Sequence, residues 1–241
     1  MTDWFTDAQA LWLTIKLACL TVILLLLIGI PLAWWLTKYQ GRLKPIFEAL
    51  VALPLVLPPT VLGFYLLLAF SPDSWFGQLW ITLTGEQLVF SFSGILLGSL
   101  IYSLPFVVQP LMAGFSQLGH QYGQVAASLG VPPVKRFVFL ILPLIKPSLI
   151  SAATLGFAHT LGEFGLVLMI GGNIPGETQV LSIALYHHVE MLSYDKAHNL
   201  ALVLLCFSFV SLTLLYKFNK PFYSNDKSHR TSNRNQNSAV D

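Results

Sequence analysis

Five apolar segments, at about 11–36, 46–71, 88–113, 148–170 and 197–217, constrain this chain more than any other feature. Each reaches the roughly 20 residues a helix needs to cross the hydrocarbon core of a bilayer. Backbone N–H and C=O groups in lipid must be satisfied within the segment, so each is predicted to be helical. Composition agrees. Hydrophobic residues make up 55% of the chain and charged residues 10%, where a soluble domain carries about a quarter charged residues. The expected fold class is all-α: a polytopic helical membrane protein with about five transmembrane helices. The expected organisation is one membrane domain over 1–217 and a disordered tail over 218–241, which is polar and free of aromatics from Ser224 onward.

Charge placement orients the spans. Lys38, Arg42 and Lys44 lie between the first two segments. Lys135, Arg136 and Lys146 lie between the third and fourth, and Lys217, Lys220, Lys227, Arg230 and Arg234 follow the fifth. In a five-span arrangement these 11 of 13 basic residues share one side. Asp3, Asp7, Asp73, Glu86, Glu177, Glu190 and Asp195 share the other, with Lys196. The positive-inside bias then predicts an outside N-terminus and a cytoplasmic C-terminus. It also puts the loop 114–147 in the cytoplasm. Lys16 sits near the outer end of the first span, within snorkelling reach of the surface.

Several function classes fall away. A net charge of +2 gives no footprint for nucleic acid. Cys19 and Cys206 each sit in an apolar run and read as small packing residues, without a disulfide framework or a CxxC site. The acidic N-terminus lacks the basic start and small-residue cleavage site of a signal peptide, so the first span is expected to be retained. There is no nucleotide-binding motif, so any ATP that drives the protein is bound by another chain. No clear internal repeat supports a secondary transporter.

Four motifs carry the remaining information. Residues 115–129 have fair helix potential, Gly130 supplies a helix stop, and Val131-Pro132-Pro133 turns the chain into a second short helix at about 132–140. Lys135 and Arg136 are expected on its solvated side, and small Ala126 and Ala127 allow close approach. Next, Pro54, Pro58 and Pro59 break the second span, with Thr60 and Gly63 following. Such a break either lines a polar path or serves packing alone. Third, Glu163 is the one acidic residue well inside an apolar segment, in His159-Thr-Leu-Gly162-Glu163-Phe-Gly165. A carboxylate there must face the bundle interior with a partner, and a structural role is the stronger reading. His159 lies four residues earlier, expected on the same helix face. An HxxxE pair lacks the further ligands of a zinc site, so no metal is assigned. Fourth, Asn173-Ile-Pro175-Gly176-Glu177-Thr178 reads as an external turn. Gly94-xxx-Gly98 and Ala158-xxx-Gly162 are small-residue pairs that permit close helix packing.

The run Gln124-Val-Ala-Ala-Ser-Leu-Gly130, followed after nine residues by Leu140-Ile-Leu142-Pro143, resembles the E-A-A-x3-G-x9-I-x-L-P loop of ABC importer permeases. Gln124 stands in place of the family's Glu, Val125 of its first Ala and Leu140 of its Ile. Ala126, Gly130, Leu142 and Pro143 match. Together with Leu53–Gly63, Gly162–Gly165 and Asn173–Thr178, the chain resembles the molybdate permeases of the oxyanion branch.

That resemblance implies a fold like that of type I ABC importer permeases, and a subunit that moves molybdate or a related oxyanion by alternating access. Sulfate or tungstate permeases are the near alternatives, and an ion-coupled secondary transporter is a more distant one. It implies an ATPase-coupling loop at Gln124, Ala126, Ala127, Gly130, Pro132, Lys135, Arg136 and Pro143. It further implies a translocation path or helix break at Pro54, Pro58, Pro59, Thr60 and Gly63, and intramembrane polar positions at His159, Gly162, Glu163 and Gly165. The external loop would hold Asn173, Pro175, Gly176 and Glu177. The implied partners are a second copy of the chain, cytoplasmic ABC ATPase subunits, a periplasmic or lipid-anchored oxyanion-binding protein, and membrane lipid. No cofactor and no catalytic residue of its own are implied. The implied location is the inner membrane of a bacterial cell.

Overall fold

The computed structural model describes residues 2–118 and 121–218. The tail expected at 218–241 lies outside them apart from its first residue, and so does the side chain of Gln124. Within them the chain is helical, in the order α1 (Thr2–Lys38), α2 (Lys44–Val56), α3 (Pro59–Phe70), α4 (Trp75–Thr84), α5 (Phe92–Leu118), α6 (Gln121–Ser128) and α7 (Pro133–Arg136). A π-helical turn follows at Phe137–Ile141, then α8 (Leu142–Leu144), α9 (Lys146–Leu161), α10 (Gly165–Gly171), α11 (Leu181–Glu190) and α12 (Tyr194–Phe218).

Among the described residues, three helices are long and apolar enough to cross a membrane alone: Thr6–Lys38, Phe92–Leu118 and Tyr194–Leu214. Two bent pairs raise the number to five. They are α2 with α3, bent by 110°, and Pro133–Leu144 with α9, bent by 74°. The first bend falls where the prolines were expected to break the span. Leu57 is extended (φ −74°, ψ 134°) ahead of Pro58, as the ring of a following proline demands. Pro59 then takes the first position of α3, where its missing N–H costs nothing.

Two apolar cores are stacked along α1 and α5. One gathers Leu13, Leu17, Ile95, Leu166, Ile170 and Ile183 near the start of both helices. The other gathers Leu25, Leu36, Val107, Leu111, Phe115 and Ile145 toward their ends. Glycines bring the first core together. A Cβ on Gly98 would lie 2.7 Å from Ile170 and 2.8 Å from Leu166, and one on Gly63 would lie 2.9 Å from Met169. The Gly94-xxx-Gly98 pair therefore packs α5 on α10. Ala158-xxx-Gly162 does not do the same, because Gly162 is exposed and ends α9 instead.

Three expectations change in detail. The connectors expected at 72–87 and 171–196 carry helices of their own, α4 and α11. The second short cytosolic helix is only four residues long before the π-helical turn. Pro143 has no N–H to give the carbonyl of Phe139, and Leu142 N–H reaches back to Phe137 O, widening the turn. Finally, Cys19 and Cys206 are both exposed, lining shallow apolar clefts beside α12 rather than filling a core.

Candidate functional site

Between the two apolar cores lies a polar layer. Ser99 and Ser103 stand four residues apart on one face of α5 and are fully buried. Opposite them are Glu163, 4% exposed, and His159 with Thr160. Ser99 Oγ donates to Glu163 Oε2 at 2.9 Å. Ser103 Oγ is 2.9 Å from His159 Nδ1 and 3.0 Å from Thr160 Oγ1. Glu163 Oε1 is buried and has no hydrogen-bond partner. The acidic side chain thus faces the interior with a partner, as expected, but from a different backbone setting. Gly162 terminates α9, so Glu163 lies in the non-helical break before α10 rather than on a shared helix face with His159. Two serines on α5 restore the alignment that the break removes.

The imidazole of His159 is stacked on Phe106, with ring centroids 3.8 Å apart, and lies 4.6 Å from the ring of Tyr102. Gly165 packs beside the α2/α3 break, where an added Cβ would touch Pro59 and Thr60 at 3.4 Å. The two interruptions of the membrane helices therefore meet. Thr60 and Pro58 are exposed there and Pro59 is half-buried, whereas Pro54 and Gly63 are buried, Gly63 against α10.

A hairpin covers this layer. The carbonyl of Ile174 accepts from the N–H groups of Glu177, Thr178 and Gln179. Thr178 Oγ1 donates to Gly171 O at 2.7 Å, and Gln179 Nε2 to Asn173 Oδ1 at 2.7 Å. Gly176 supplies the turn at φ +81°. Asn173, Pro175, Gly176 and Glu177 are exposed at its tip. From there the chain descends. Leu181 N–H reaches Thr14 Oγ1 at 2.7 Å and Ser182 Oγ reaches Glu163 O at 2.7 Å. Helix α11 then climbs antiparallel to α1, so that His188 Nε2 meets Asp7 Oδ1 at 3.2 Å. On the same helix Tyr186 bonds Glu190, whose carboxylate pushes the phenol up.

At the other end of the molecule, α6 closes with a Schellman arrangement. Gly130 N–H bonds Ala127 O at 2.9 Å, Val131 N–H bonds Ala126 O at 3.1 Å, and Gly130 sits at φ +73°. Ala126 is buried, Ala127 is exposed, and Pro132, Lys135 and Pro143 are exposed. Arg136 is half-buried and its Nη2 donates to Val131 O at 2.9 Å, bracing the turn. Phe137 lies tilted against Trp34 of α1, with centroids 5.2 Å apart, and stacks on Phe115 of α5 at 6.2 Å. Lys38 caps Trp34 at 3.9 Å. Val125, Leu129, Val134 and Phe139 are left exposed.

The site residues legible from sequence thus fall into three groups: the coupling turn, the paired breaks and the hairpin tip. Ser99, Tyr102, Ser103 and Thr160 were missed, since single polar residues in apolar runs have no spacing signature. The usable signal was Ser99-xxx-Ser103, one helical turn apart like His159 and Glu163.

Residues 25–220 match the family described as "Binding-protein-dependent transport system inner membrane component". The chain belongs to that family. It is 50% identical over 210 residues to the "Molybdenum transport system permease protein ModB" of Azotobacter vinelandii, covering 87% of this chain and 93% of that one. It is 32% identical over 191 residues to the "Sulfate transport system permease protein CysT" of Escherichia coli (strain K12), covering 79% and 68%. Among solved structures, it resembles a chain of the MetNI methionine ABC transporter in inward-facing conformations, with a TM-score of 0.69 at 13% identity and coverage of 90% and 95%. It also resembles a bacterial ABC transporter involved in the import of alginate, with a TM-score of 0.70 at 16% identity and coverage of 88% and 80%. The fold of this family member is that of ABC transporter membrane chains. It is a transport component and a multi-pass helical membrane protein.

Proposed function

We propose that this chain is the membrane permease of an ATP-driven molybdate importer. The observation that carries the reading is its 50% identity, over nearly the whole of both chains, to a molybdenum transport permease. Sulfate is the second cargo reading, favoured by the sulfate permeases that match at lower identity. Tungstate shares the chemistry of both.

In this reading two copies of the chain form the path, and the N-terminus lies outside and the C-terminus in the cytoplasm. Helix α6 and its Schellman turn dock in a groove of a separate ABC ATPase. Exposed Val125, Leu129 and Val134 supply apolar contact, and Lys135 supplies charge. ATP draws two ATPase subunits together, and each coupling turn moves as a rigid body because both its ends are fixed. Gln124 replaces the Glu usual at this position in the family, so a carboxylate is not available for an ion pair there. The ring contacts of Phe137 with Trp34 and Phe115 carry the motion to α1 and α5. A binding protein delivers the oxyanion to the outer face, where Asn173, Pro175, Gly176 and Glu177 protrude. Pro58, Pro59, Thr60 and Gly162 border the path at mid-membrane.

The test is uptake of radiolabelled molybdate into proteoliposomes that hold this chain, its ATPase and its binding protein. ATP-dependent uptake of molybdate, competed by tungstate, supports the reading. Uptake of sulfate with no competition by molybdate moves it to the second cargo. No ATPase capture by the purified chain removes it.

A further inference from the structure

The hydrogen bonds around His159 have only one consistent direction. Thr160 Oγ1 lies 2.9 Å from Gly156 O, and a carbonyl can only accept, so the one hydroxyl proton of Thr160 is used there. In its contact with Ser103 at 3.0 Å, Thr160 must then accept, and Ser103 must donate. That uses the one proton of Ser103. Its contact with His159 Nδ1 at 2.9 Å therefore has the imidazole as donor. Nδ1 carries a proton in every state of the ring, and any second proton goes to Nε2.

Nε2 is bonded to no described residue and is not among the buried atoms left without a partner. The ring is half-buried between α5 and α9, beside half-buried Tyr102 and one turn before exposed Gly162. The ring is stacked on Phe106 and lies beside the ring of Tyr102, and a dianion bonded at Nε2 supplies the opposite charge that a cation in these half-buried surroundings needs. The groups that bear on it are few. Tyr102 faces it from α5 and Glu163 lies beyond it in the break. Helix α1 has no charge between Lys16 and Lys38, α2 none after Glu48, and α12 none between Lys196 and Lys217, though it holds the titratable His198 near its start, and α3 holds the phenol of Tyr65. Helices α3 and α10 carry no charge. The titratable groups of α11 are Tyr186, His187, His188 and Glu190.

Resting on the reading above as an oxyanion importer, we propose that His159 is a counter-ion station on the translocation path, where Nε2 takes up a proton and hydrogen-bonds a passing tetrahedral dianion. The Gly156–Thr160–Ser103 chain holds the ring so that Nε2 alone faces the cargo. The proton comes from water in the open path and returns to it once the anion leaves. The imidazolium forms as pH falls, so transport through this station declines as pH rises.

The test is molybdate uptake against pH in the complete assembly, with ATP hydrolysis followed in parallel. His159→Asn places a donor where Nδ1 stands and nothing at Nε2. It is expected to keep assembly and ATP hydrolysis while uptake drops about tenfold, the effect of one lost charge-assisted contact on a barrier. His159→Gln keeps a neutral donor at the Nε2 position, and is expected to restore part of the rate with a flat pH profile. Ser103→Ala frees the ring to change tautomer and is expected to displace the wild-type profile. If the unmodified assembly takes up no oxyanion, the importer reading fails and the station with it. If it does, and His159→Asn matches it in both rate and pH profile, the station alone is overturned.

Discussion

Ser182 Oγ donates to the main-chain carbonyl of Glu163 across 2.7 Å, tying the first turn of α11 to the break between α9 and α10. The bond joins the same two elements as the ring contact of Phe164 with Tyr186, 4.9 Å between centroids, and the carbonyl it satisfies lies in the break between the two helices. Ser182→Ala is expected to lower stability by about 1 kcal/mol, the net worth of one such bond. Thermal unfolding in detergent measures it. An unchanged midpoint would mean that the bond does not hold α11.

Glu163 is buried with one oxygen on Ser99 and the other without a partner. Glu163→Gln keeps an acceptor for Ser99 and is expected to leave ATPase capture intact. Glu163→Leu leaves the Ser99 hydroxyl without its acceptor and is expected to cost about 1–3 kcal/mol. Capture assays and unfolding midpoints on the two variants separate the outcomes. Equal midpoints would remove the Ser99 contact from the account.

Gly130 closes α6 at φ +73° with open space around it. A side chain there meets no neighbour, so the whole cost is backbone. Gly130→Val forces a branched residue into the left-handed region at about 1–2 kcal/mol. The variant is expected to insert normally and to lose ATPase capture at least in part. Full capture would show that the Schellman turn is not what the partner grips.

Phe137 is the ring through which the coupling turn touches α1 and α5. Phe137→Ala is expected to leave capture intact, since the exposed contacts of α6 remain. It should uncouple hydrolysis from uptake, at a stability cost of about 1–3 kcal/mol for a half-buried ring. The ratio of molybdate moved to ATP split reads the effect. A ratio equal to the parent's would show that force passes by another route.

Gly98 lies where Ile170 and Leu166 cross α5. Gly98→Val is expected to destabilise by about 1–3 kcal/mol through overpacking, while Gly85→Ala, with nothing within 4 Å at φ +79°, pays the backbone term alone. Comparing the two midpoints checks that close packing, not glycine flexibility, holds α10 on α5.

Much of this was legible beforehand because membrane helices declare themselves by length and apolarity. The span at 11–36 lies within α1, and that at 88–113 overlaps α5 from Phe92 on. The Pro58-Pro59 break and the Gly130 stop rest on backbone rules that lipid or neighbours do not override. What escaped detection has a common cause. Helices α4 and α11 are ten residues each, too short to span, and their chemistry blends into connectors. The π-helical turn depends on what Pro143 does to a carbonyl four residues back. The pairing of Ser99 with Glu163 and Ser103 with His159 joins residues 64 and 56 positions apart, and no local pattern reports such a distance. Ala158-xxx-Gly162 misled for the opposite reason: a local spacing was present, but the helix stopped before it could be used.

The non-helical stretch at 162–164 divides the segment expected at 148–170 into α9 and α10, two helices in place of one rod. A rod pushed at its lower end must slide at its upper end by the same amount. Two short levers joined at a hinge convert that thrust into a change of angle, so a displacement near Lys146 reaches α10 as a rotation rather than a slide.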